Sequence, residues 1–148
     1  MPYGALSVLL YLAGVGHAQM DAQRSCASQI RATATVTHLA DLPQDIRNEM
    51  DRLKDLFGEM ADSDAPLLQT DAPSAAERGY AQVRFAQAIL VKDMWFVQYE
   101  SAMTAGVRTA SFSRHSDGHF NFDPSHYFGG AGCAAIKAAL AGVTTLPP

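Results

Sequence analysis

Residues 107–123 read VRTASFSRHSDGHFNFD, two short runs either side of a turn. Ser116-Asp117-Gly118 fits a three-residue hairpin loop in which Gly118 takes the left-handed backbone position beside a bulge. That turn makes His115 and His119 cross-strand neighbours. Side chains alternate along a strand, so counting outward by twos puts Ser111, Ser113, Asn121 and Asp123 on the histidine face. Ala110, Phe112, Phe120 and Phe122 then share the opposite face. One face suits a core, the other solvent or a ligand.

Working upstream, Ala81 to Val91, Trp95 to Ser101, Val107 to Arg114 and His119 to Asp123 can form an antiparallel meander. Trp95, Val97 and Tyr99 alternate and should point into its core. The first member has a competing reading. Ser74-Ala75-Ala76-Glu77 matches a capping box, and a helix from there would align Tyr80, Val83 and Leu90, with Gly79 inside it. Gln29 to Leu39 (QIRATATVTHL) reads as a strand, although its alanines would also suit a helix. From Asp41 to Met60 the spacing predicts one long amphipathic helix, with Leu42, Ile46, Met50, Leu53, Phe57 and Met60 on its apolar stripe and acidic residues facing water. Asp41 can cap it and Pro43 fits its first turn. Residues 61–73 read as an acidic, partly extended linker.

Downstream of Pro124, residues 125–132 (SHYFGGAG) read as an aromatic, glycine-rich loop. An Ala-rich helix follows from Cys133 to about Gly142. The expected fold is α+β: one long amphipathic helix and a C-terminal helix packed on a 4–5-stranded antiparallel sheet.

Residues 5–15 (ALSVLLYLAGV) are apolar apart from one serine and are followed by Gly16-His17-Ala18. That pattern predicts a cleavable signal peptide over residues 1–18, leaving a single small globular domain over 19–148. The run is too short to span a membrane, so no transmembrane segment is expected in the mature form. An upstream start or a buried N-terminal helix is the alternative, since Met1-Pro2-Tyr3 lacks Lys and Arg. Cys26 and Cys133 are the two cysteines and in an exported chain predict one disulfide. Periplasmic or secreted localisation follows. Arg outnumbers Lys and Ala is abundant, which suggests a bacterial source.

The net charge of −4 and pI near 5.6 give nucleic acid and anionic membranes no attraction. Between Asp41 and Glu77, ten acidic residues face three basic ones, a balance of −7. Such a stretch reads first as a solvated face and second as a meeting surface for a basic partner.

Candidate chemistry is sparse. His115, His119 and His126 lie close in sequence with Asp117 and Asp123 among them, and facing imidazoles can hold a divalent metal. Gly129-Gly130-Ala131-Gly132 before a helix can present N–H groups to an anion, but no P-loop lysine or dinucleotide fingerprint accompanies it. Cys133 at a helix start could be a nucleophile, although a disulfide is the simpler use. No Gly-x-Ser-x-Gly elbow is present, and the carboxylates of 41–60 show no sign of a cleft. Tyr127 and Phe128 suit either a partner contact or an anchor for their loop. These features predict an exported binding or interaction protein without catalysis and with no cofactor. Its partner would be a protein or small molecule of the cell envelope, and it could act as inhibitor or accessory of an envelope enzyme. The alternative is a metal-binding protein or metal-dependent enzyme using His115 and His119.

Overall fold

The computed structural model describes residues 26–69, 74–104, 106–130 and 132–145. The expected signal peptide lies outside these residues, as do Asp71-Ala72-Pro73, Ala131 and Pro147-Pro148. Helices pack on a mostly antiparallel six-stranded sheet, an α+β arrangement. Its strands are β1 (Ala34–Val36), β2 (Met60–Ala61), β3 (Val83–Val91), β4 (Met94–Ser101), β5 (Gly106–Arg114) and β6 (Phe120–Gly129). The order is β1-β3-β4-β5-β6, with β2 added in parallel at the far end of β3. The helices are α1 (Gln44–Arg52), α2 (Lys54–Phe57) and α3 (Cys133–Leu140). Among the described residues, no helix is long and apolar enough to cross a membrane.

The long helix expected over 41–60 is divided. Leu39–Asp41 forms a 3-10 turn, Leu42 is extended as the residue before Pro43, and α1 starts only at Gln44. Leu53, at φ −102° and ψ 30°, separates α1 from α2. Gly58 then ends α2 at φ +73°. The apolar stripe survives these breaks: Leu42, Ile46, Met50 and Phe57 are all buried. Phe57 lies at the centre of an aromatic group, its ring 5.2–6.5 Å from those of Phe122, Tyr99, Phe112 and Tyr127.

The meander forms with the expected strand directions. Residues 83–91 are a strand, and the competing helix does not form. The capping contacts exist all the same: Ser74 Oγ and Ser74 N both donate to Glu77 Oε2, but they close only turns. The strand expected over 29–39 shrinks to three residues, with a helical turn over 26–29 before it.

In β4, Trp95, Val97 and Tyr99 face α1 and α2 as the alternation implies. Phe96 and Gln98, on the other side, are equally buried. That second face is covered by Cys26, Ile30 and α3, whose Ile136 and Ala139 pack with Ile89, Val91 and Phe96. The Cys26–Cys133 disulfide ties its two covering pieces together, with Cα atoms 5.1 Å apart. Gln87, Gln98 and Thr109 cross the second face in one row. Gln87 Nε2 donates to Gln98 Oε1, Gln98 Nε2 to Thr109 Oγ1, and that hydroxyl to the Gly130 carbonyl. Each buried amide thereby gains a partner, which keeps its desolvation cost low.

Strand β6 overturns the loop expected over 125–132. Ser111 pairs with Asp123, yet the next pair is Ala110 with Tyr127, so residues 124–126 form a bulge and pairing resumes. Pro124 sits in that bulge, where no ladder N–H is required.

The outer edge of β6 is covered group by group. The Phe120 N–H donates to Asp45 Oδ2 at 2.8 Å, and Glu49 faces the Phe122 N–H more loosely. Asp45 and Glu49 lie one helical turn apart and so match backbone donors two residues apart. Further along, Tyr127 N donates to Thr145 Oγ1 and Thr145 N to the Ser125 carbonyl. The acids of α1 were expected to face water; Asp45 instead satisfies a strand edge and Glu49 lies over it, which blocks further strand addition there.

Candidate functional site

The hairpin has the register that its turn chemistry implies. His115 N donates to the His119 carbonyl, Gly118 N to the His115 carbonyl, and Gly118 has φ +88°. Asp117 Oδ1 accepts from His119 N, closing the loop. Ala110, Phe112 and Phe120 are buried against α1 and α2, and Phe122 packs with them. The exposed His115 and His119 stand at the tip, where His119 Nδ1 lies 3.8 Å from Asp45 Oδ2.

His126 pairs elsewhere. Its Nδ1 lies 2.7 Å from Asp123 Oδ2, inside the β6 bulge. Ser113 Oγ donates to the same carboxylate oxygen at 3.4 Å, and Ser125 N donates to Oδ1. Partial burial pushes the Asp123 carboxyl up, but these bonds, led by that from His126, outweigh it and hold it below the ordinary aspartate value. Asp123 is therefore an ionised acceptor that orients the His126 ring. Ser111 sits beside Asp123 on the neighbouring strand and is fully buried. Among the described residues, no group of three or more His, Cys, Asp or Glu is arranged to hold a metal ion.

Tyr127 and Phe128 point to opposite faces. Tyr127 joins the aromatic group around Phe57, its hydroxyl 2.6 Å from that of Tyr99, with the Arg108 guanidinium 5.6 Å above its ring. Burial, with the Tyr127 contact, pushes the Tyr99 hydroxyl far above the ordinary tyrosine value. Phe128 packs against the cluster under α3. Both therefore anchor β6. The Gly130 N–H goes to the Val107 carbonyl, and the Cys133 sulfur is held in the disulfide, so neither is free for the anion-binding and nucleophile readings.

The feature that sequence reasoning missed is a groove. The chain leaving α2 runs across the surface as Gly58-Glu59-Met60, with a depression on either side. One, of about 590 Å³, is lined by Leu39, Arg47, Met50, Asp51, Lys54 and the 58–60 segment. The other, of about 620 Å³, lies between that segment and Ala65, Pro66, Tyr80 and Ala81. Both volumes fall within the usual range of ligand pockets, roughly 300–1,000 Å³. The groove exists because Gly58 turns the chain and β2 pairs with only two residues of β3. Nothing local in the sequence signals that long-range pairing.

Comparisons with known protein families, with curated proteins and with solved structures return no match.

Proposed function

We propose that this is an exported binding protein of the bacterial cell envelope, periplasmic or secreted, that holds a segment of a partner protein in the groove flanking Gly58–Met60. The observation that carries the reading is the groove itself: two adjoining depressions of ligand-pocket size, with the apolar Met60, Pro66 and Tyr80 beside polar walls. In its lining Asp51 and Glu59 stand against Arg47 and Lys54, while the stretch from Asp41 to Glu77 carries −7, which favours a partner bearing basic residues. The disulfide supports an oxidising compartment. An envelope enzyme inhibited or assisted by this protein is the kind of partner meant.

The test is a photo-crosslinking amino acid placed at Met60 or Tyr80 in the producing cell. One defined envelope protein should crosslink at both positions and be lost when Ala65 and Ala81 are enlarged to Trp. Absence of any crosslink there, or turnover by the purified protein that disappears on changing one residue, would sink the reading.

A second reading, a divalent metal at the hairpin tip, has in its favour the facing of His115 and His119 beside Asp45. Equal zinc affinity in the wild type and a His115→Ala, His119→Ala double mutant would rule it out.

A further inference from the structure

Two polar side-chain atoms on the α3 face of the sheet are sealed from solvent without a hydrogen-bond partner: Ser111 Oγ and His126 Nε2. Both residues belong to the cluster around Asp123. Ser111 is the cross-strand partner of Asp123, and Asp123 holds the His126 ring through Nδ1. The hydrogen bond from Ser113 to Asp123 fixes the carboxylate on the serine face, and alternation along β5 puts Ser111 on that face too. Phe96, cross-strand from Ser111, and Phe128, whose ring centre is 6.5 Å from that of His126, wall the place with apolar surface. A buried donor or acceptor left unpaired costs about 1–3 kcal/mol, so two in one cluster call for a partner.

We propose that Ser111 Oγ and His126 Nε2 together bind one internal water molecule, which bridges them. The chemistry selects that ligand. Asp123 is ionised and accepts at Nδ1, so that nitrogen carries the ring proton and Nε2 of the neutral ring presents a lone pair. The bridging group must therefore donate to Nε2 and also bond a hydroxyl. A water does both, while an anion would meet the Asp123 charge and offer Nε2 no proton. This inference is independent of the groove.

The test combines a high-resolution crystal structure of the wild type with water-to-ring cross-relaxation measured by NMR. The expected result is one ordered water bonded to both atoms, and a cross-peak from His126 ring protons to a long-lived water. That cross-peak should survive Ser113→Ala and disappear in Ser111→Val. A direct Ser111–His126 hydrogen bond or a dry contact would overturn the proposal. Should Ser111→Val fail to fold, the wild-type crystals and cross-relaxation decide alone.

Discussion

Replacing Asp45 and Glu49 together by Ala is predicted to cost the fold about 2–3 kcal/mol, more than two surface acids normally carry. The magnitude follows from what the carboxylates hold. Asp45 accepts the Phe120 N–H at the outer edge of β6, and Glu49 faces the Phe122 N–H more loosely. A hydrogen bond to a charged acceptor contributes about 1.5–3 kcal/mol, and the looser contact about 0.5–1 kcal/mol. The two sites adjoin on one helix and one strand, so the double mutant should fall short of the sum. Glu49 also bonds the exposed Arg52 side chain, but that pair adds little to the total. Urea unfolding of the wild type, both single mutants and the double mutant measures the effect, and amide exchange at Phe120 and Phe122 locates it. Asp45→Asn and Glu49→Gln keep an acceptor and should lose about half as much. An Asp51→Ala, Asp55→Ala control, with both residues exposed, should stay within about 0.5 kcal/mol of the wild type. A double mutant within about 1 kcal/mol of the wild type, with both amides still protected, would refute the edge-capping argument.

The same carboxylates predict acid sensitivity. Glu49, held down mainly by its bond from Arg52, and Asp123, held down mainly by His126 against burial, lie below their ordinary values in the folded protein. The unfolded chain then binds more protons, so stability is complete above the unfolded carboxylate range, about 4 to 4.5, and falls as pH drops below it. Urea midpoints measured from neutral pH downward should show this, with a shallower decline in Glu49→Gln. Gly58→Ala should cost about 1–3 kcal/mol in thermal melting, because φ is +73° and the new Cβ would sit 2.9 Å from Val83 Cγ2. Adding Val83→Ala relieves the contact and leaves the backbone cost. Replacing Cys26 and Cys133 by Ser frees a closure of 107 residues, for which chain entropy gives an upper figure of about 4.8 kcal/mol. Chemical denaturation of the oxidised protein and the double mutant reads the difference.

The hairpin register, the apolar stripe of Leu42, Ile46, Met50 and Phe57, and the Cys26–Cys133 bond were all legible in the residues. Each rests on a rule of short range or on a count of two. What was hidden depended on partners far away in sequence. The division of the 41–60 helix is a matter of the Leu53 torsions, which no periodicity encodes. Burial of both faces of β4 could not be read from Trp95, Val97 and Tyr99, since the partners of the Gln98 amide lie on β3 and β5, far from it in sequence. Strand β6 passed Pro124 because a bulge absorbed it. Of the candidate sites, the pairing of His115 with His119 was visible. The bond from His126 to Asp123, formed within that bulge, was not, nor was the groove made by the two-residue β2.

The disulfide also decides how the molecule bears force. Cys26 precedes β1 and Cys133 follows β6, so the bond brackets every strand of the sheet. Tension applied before Cys26 and after Cys133 travels through the sulfur bridge and leaves the enclosed strands unloaded. Attached at those two points, the protein would behave as a short covalent link with a folded loop hanging from it. Reduction would lengthen that link abruptly by releasing the chain between them.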